Sequence, residues 1–119
     1  MGQVMKPVDI ESLPLGDFGL PTKWWGAAAL FNLPDAASLM DYCADHGLAV
    51  LGVEGFRIEG NHRVPELDAI ADFSELMNVW NTSFPERSIF AMREFFKLMP
   101  QDGVMLEFVL VEASVPKAT

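Results

Sequence analysis

The stretch Leu48–Ile58, LAVLGVEGFRI, is apolar on both faces through Val53 and carries a single carboxylate, Glu54, set between Gly52 and Gly55. A short apolar run of this kind, bounded by turn residues, is the pattern of a strand covered on two sides, so it is expected at the centre of a sheet. Glycines inside a strand point to a bulge or to a close approach of neighbouring backbone. The residues that lead into this stretch and out of it decide what kind of sheet it joins.

Upstream, Pro34–His46 reads as a helix. Pro34 suits the first helical position and Asp35 complements the positive end of the helix dipole. Ala36, Leu39, Met40 and Cys43 recur at helical spacing and form one apolar face. Gly47 is expected in the left-handed conformation that stops a helix, with Leu48 folding back onto Cys43. Downstream, Glu59-Gly60-Asn61-His62 has the chemistry of a tight turn. Two periods compete in the segment that follows, Arg63–Ser74. Leu67, Ala69, Ala71 and Phe73 alternate as a strand, whereas Leu67, Ile70, Ala71 and Met77 fit a helix. The turn favours a hairpin partner for the first strand, with Pro65 near its start or at an edge.

Ser83–Met99 is a second helix. Ser83 and Glu86 have capping-box spacing, Pro85 lies in the first turn, and Ile89, Met92, Phe96 and Met99 form the apolar stripe. Gln101-Asp102-Gly103 then turns the chain into a last strand, Val104–Glu112 (VMLEFVLVE), again apolar on both faces. Lys23–Leu33 is strongly apolar and fits a short helix or a strand, with Trp24 and Trp25 packing it onto the body. Residues 1–20 read as an irregular arm and 113–119 as a frayed tail.

The order arm-α-β-β-α-β, without internal repeats, predicts an α+β fold. A small sheet of three or four strands, mixed or antiparallel, should carry two main helices. At 119 residues the chain is expected to form a single domain with a real core. Half of its residues are hydrophobic and 21% are charged, a globular composition. No apolar run reaches the roughly 18–20 residues needed to cross a membrane. The N-terminal segment lacks the basic-then-apolar pattern of a secretory signal. The single cysteine, Cys43, excludes an internal disulfide and a multi-cysteine zinc site. A cytoplasmic protein is the expectation.

The formal net charge is −9, and Asp35–Glu75 holds nine carboxylates against Arg57 and Arg63, a local charge of −7. Eight basic residues without a cluster do not make a phosphate-binding face, so nucleic acid and anionic membranes are excluded as partners. A basic protein partner is electrostatically favoured. Glu54, Glu59, Glu66, Asp68, Asp72 and Glu75 are the candidate partner-binding residues. Trp80 or Phe84 beside them is a candidate aromatic anchor.

Catalytic arrangements have less support. Glu54 and Glu107 each interrupt an apolar strand. If those strands are neighbours in register, the two carboxylates form an acid/base pair; otherwise each lies near a sheet edge or is held by an arginine such as Arg57 or Arg93. His62 is a third candidate for such a site. Cys43 and His46, three apart on one helix, have the types of a nucleophile pair or of two metal ligands, but Cys43 also lies on the core face. Asp41/Asp45 and Asp68/Asp72 match no calcium-loop spacing. The sequence contains no GxSxG, HExxH, Walker or dinucleotide motif, and no catalytic residue, metal or cofactor is assigned.

The run GLAVLGVEGFRIEGN, then VPELDAIADFS, a helix and a final FVLV strand resembles the immunity protein 40 family of bacterial polymorphic toxin systems. Gly47, Leu51, Gly52, Glu54 and Gly60 carry the resemblance, which extends from Asp35 to Val111 and is poorest over Asp68–Ser74. It implies an intracellular, non-catalytic protein that binds and neutralises a cognate toxin. Two further classes stay open. One is a small enzyme or ligand-binding domain using Glu54 with Glu107 or His62. The other is a self-associating structural domain that makes its contact through Lys23–Leu33 or a sheet edge.

Overall fold

The computed structural model describes residues 4–13, 19–78 and 83–114. The fold is α+β, with a four-stranded antiparallel sheet, a separate two-stranded sheet and two α-helices. The first helix, α1 (Leu33–His46), starts one residue earlier than its sequence pattern indicated. Asn32 caps it, its side-chain oxygen accepting the Asp35 N–H at 2.9 Å. Ala36, Leu39, Met40 and Cys43 are buried as expected, joined by Tyr42. Gly47 ends the helix with φ +66°.

Strand β4 (Leu48–Glu59) follows and turns through Gly60-Asn61 into β5 (His62–Asp72). Gly60 has φ +63°, the positive value that two-residue hairpin loops require at their first position. The competition of periods over Arg63–Ser74 therefore resolves as strand. A short 3-10 turn, Ser74–Asn78, comes after it.

The second helix, α2, runs Phe84–Phe96 and is shorter than the Ser83–Met99 expectation. Ser83 occupies the N-cap position, but its side chain makes no capping hydrogen bond, so the capping box is not formed. The last strand, β6 (Met105–Ser114), starts one residue late and extends into the segment expected to fray. The expectation of a wholly irregular N-terminal arm is also corrected. Val4–Val8 is strand β1, which pairs antiparallel with β6 from Val4↔Ser114 to Val8↔Leu110. Within Lys23–Leu33, a hairpin of β2 (Lys23–Trp25) and β3 (Ala28–Leu30) leads into α1. Trp24 in that hairpin is exposed rather than packed onto the body.

The sheet order is β1-β6-β4-β5, so β4 is internal, as its apolar run predicts. One face carries the core. There Leu39, Met40 and Cys43 of α1 and Ile89 and Met92 of α2 join Val50, Val53, Leu106, Phe108 and Leu110. Phe31 continues the β1 edge by exchanging both backbone hydrogen bonds with Leu106, at 2.9 and 2.8 Å, and its ring meets Phe108 edge-on.

Strand β5 pairs with β4 only from Gly52 onward, and Phe73 extends the ladder by one bond to the Leu51 carbonyl. Beyond that point α2 takes over. The Val50 N–H donates to the Oγ of fully buried Ser88, at 2.9 Å, and that hydroxyl donates to the Pro85 carbonyl. A buried backbone donor at the sheet edge is thus satisfied by a helix side chain.

Candidate functional site

The second face of the sheet is only partly covered. A small cluster of Ala49, Val111 and Phe84, with Leu51 and Leu76 against it, closes one end. Past a bulge between Val50 and Gly52, the strands present rows of aligned side chains to the outside. One row is Asp72–Gly52–Val109 and the next is Ile70–Glu54–Glu107. The third is Pro65–Phe56–Met105. This face mixes charge with exposed aliphatic surface: Val109 is 50% exposed and Ile70 42%, while Glu54 and Asp72 are exposed beside them.

Arg63 organises the third row. Its guanidinium lies 3.8 Å from the centre of the Phe56 ring and reaches Glu107 at 2.7 Å. Phe56, beneath that guanidinium, is only 2% exposed. A cation over an aromatic ring, with its stem on apolar surface and its head on a carboxylate, is a favourable use of a long basic side chain.

The sequence candidates fall into separate places. Glu54 and Asp72 share the open face in adjacent rows. Asp72 closes β5, and its carboxylate accepts the Ser74 N–H at 2.8 Å. The hydrogen bonds from Ser74, the backbone N–H first and the hydroxyl second, hold that carboxyl below the usual aspartate range. Glu59 lies at the hairpin end opposite His62. Asp68 sits in the irregular part of the β4–β5 ladder, where Gly55 alone faces Glu66–Ala69. That bulge pushes Leu67 outward to 79% exposure and Ala69 inward to full burial. Glu66 is held by Arg57 at 3.0 Å, and Arg57 also donates to the Asp102 carbonyl, so Glu66 acts in a structural ion pair. Glu75 is exposed in the 3-10 turn. Trp80 lies outside the described residues. Phe84 is buried, which removes it as an exposed anchor.

The alternative chemistries are sorted by the same register. Glu54 and Glu107 are direct cross-strand partners, but Glu107 is held by Arg63 rather than by Arg57 or Arg93. His62 is opposite Glu59, at the far end of β4 from the Glu54 row, and does not join them. Cys43 and His46 do not pair. Burial pushes the Cys43 thiol up to about 12, whereas the exposed His46 ring stacks on Tyr42 at 3.9 Å and directs Nδ1 to the Tyr42 carbonyl. Among the described residues, no group of three or more His, Cys, Asp or Glu is placed to hold a metal ion. No described helix is long and apolar enough to cross a membrane.

The aliphatic members of the open face, Ile70 and Val109, and the role of Arg63 were not singled out from the sequence. A signal for Val109 was present: strand side chains alternate, so Val109 must share a face with Glu107 two residues before it. No protein-family model matches the chain, and no curated protein or solved structure matches it either.

Proposed function

We propose that this chain is a non-catalytic, acidic protein-binding domain that acts in the cytoplasm as an immunity protein, neutralising a cognate bacterial toxin through a basic surface of that toxin. The observation that carries the reading is the open sheet face, where half-exposed Ile70 and Val109 lie beside Glu54 and Asp72, carboxylates with no basic partner among the described residues. Aliphatic surface flanked by charge is the composition of an interface, the apolar part supplying affinity and the carboxylates steering and orienting the partner. The net charge of −9 supports a partner of opposite sign. The resemblance of GLAVLGVEGFRIEGN to the immunity protein 40 family supplies the toxin as the class of that partner.

Co-expression and co-purification with the protein encoded beside it tests the proposal. The expected outcome is a stoichiometric complex that abolishes the toxin's effect on growth and weakens steeply as salt is raised. A neighbouring toxin that neither binds the chain nor is restrained by it would sink the reading.

A further inference from the structure

Resting on the reading just given, that the partner is a basic protein, we infer that the groove over Gly52 on the open sheet face seats one lysine or arginine side chain of that partner, its aliphatic stem between Val109 and Ile70 and its cation on Asp72 and Glu54.

The groove has a volume of about 250 Å³ and is lined by Leu51, Gly52, Asp72, Ser74 and Val109. Its floor is low because Gly52 has no side chain, and an added Cβ would sit 3.1 Å from the Ala71 carbonyl oxygen. Register places Asp72 and Val109 on either side of Gly52, with Ile70 and Glu54 in the next row. At roughly 3.3 Å per residue, the two rows are about 6.6 Å apart, within reach of one long basic side chain.

The two rows beyond Gly52 show the same recognition made within the chain. Arg63 lays itself on Phe56 and places its guanidinium on Glu107, and the charge of Glu107 is thereby answered. The row over Gly52 offers the same pairing of apolar bed and carboxylate. Among the described residues, however, neither Glu54 nor Asp72 has a basic partner. Hydrogen bonds from Ser74 favour the charged form of Asp72 and fix its carboxylate at the rim. A second copy of this chain is the poorer occupant because two molecules of charge −9 repel.

Titration of the isotopically labelled full chain with the capped tripeptides Gly-Lys-Gly and Gly-Arg-Gly, followed by NMR, tests the inference. Gly-norleucine-Gly serves as the uncharged control. The Gly52 amide and the Ile70 and Val109 methyl signals are expected to shift saturably with lysine or arginine and not with norleucine. The stronger of the two basic peptides identifies the preferred cation. Glu54→Gln and Asp72→Asn, both exposed and outside the core, should each weaken binding roughly two- to fivefold and leave the remaining spectrum in place. Shifts spread evenly over Glu59, Asp68 and Glu75, or unchanged by both substitutions, would overturn the inference. So would shifts at the groove on concentrating the protein alone, which would assign the face to a second copy. A toxin neutralised undiminished by the double variant defeats the groove and leaves the immunity reading standing. Saturable peptide binding in a chain that binds no toxin does the reverse.

Discussion

The two faces of β4 are made from alternate residues of one strand, yet they answer to different physics. Val50, Val53 and the neighbouring Leu106 and Phe108 look into the core beneath both helices. Gly52, Glu54 and the neighbouring Val109 and Ile70 look away from it, on a face that the described residues close at its Phe84 end. Apolar character alone does not separate them, because Val109 is as hydrophobic as Val53, which is buried in the core. What separates them is whether a second layer arrives. The strand therefore has one face fixed by packing and one available to a partner.

The largest expected contrast is between two aliphatic sites of β6. Leu106→Ala, at a fully buried position, should cost about 2–5 kcal/mol in urea unfolding, whereas Val109→Ala should stay within about 0.5 kcal/mol. Equal losses would mean that the outer face is packed after all. The two glycines make the next test. A Cβ on Gly55 would collide with the Ala69 Cβ and lie 2.8 Å from its carbonyl oxygen, so Gly55→Ala is expected to cost about 1–3 kcal/mol. Gly52→Ala, limited by one carbonyl contact, should cost less by the same measurement.

Ser88→Ala removes the acceptor of the buried Val50 N–H, and a loss of about 1–3 kcal/mol is expected, with faster amide exchange at Val50 as the specific readout. The core face also holds an ionisable group. An unfolded cysteine titrates near 8.5, and Cys43 in the folded chain is pushed up to about 12. The raised value means that Cys43 has no pH-dependent effect on stability below about pH 8.5. Above it, stability should fall by up to about 1.4 kcal/mol per pH unit until the folded thiol itself ionises. Cys43→Ala should flatten that alkaline slope in denaturant titrations at stepped pH. The smallest effect belongs to the outer face: Glu107→Gln, which weakens a half-exposed ion pair, should cost under about 1 kcal/mol and raise the exposure of Phe56.

Much of this was legible in the residues. The glycine-stopped helix, the central strand and the turn at Gly60 follow from local chemistry, and each is found where the pattern put it. Strand β1 was not legible, because Pro7 and scattered apolar residues give no period and the strand is stabilised by pairing with β6 at the other end of the sequence. The helix-or-strand ambiguity of Arg63–Ser74 came from the bulge opposite Gly55, which interrupts the alternation that marks a strand. The neighbourhood of Glu54 and Glu107 was foreseen as a condition. That Arg63 would hold Glu107 depended on a register that no single strand contains. The acidic candidates were a set in sequence but not in space. Glu66 was absorbed by Arg57, while Glu54 and Asp72 came together.

Strand β6 lies between β1 and β4; β1 pairs with no other strand, and β4 depends on it for one of its two ladders. It is also the last of the three to leave the ribosome. Until it emerges, β1 has no neighbour and the β4–β5 hairpin stands as the only long ladder the chain can form. Closing the sheet therefore joins Val4 to Ser114 in a late, long-range step, the kind of contact that slows folding. For that interval the edge of β4 that β6 will cover has no strand beside it, and the nascent chain is most exposed to unwanted association before its final strand arrives.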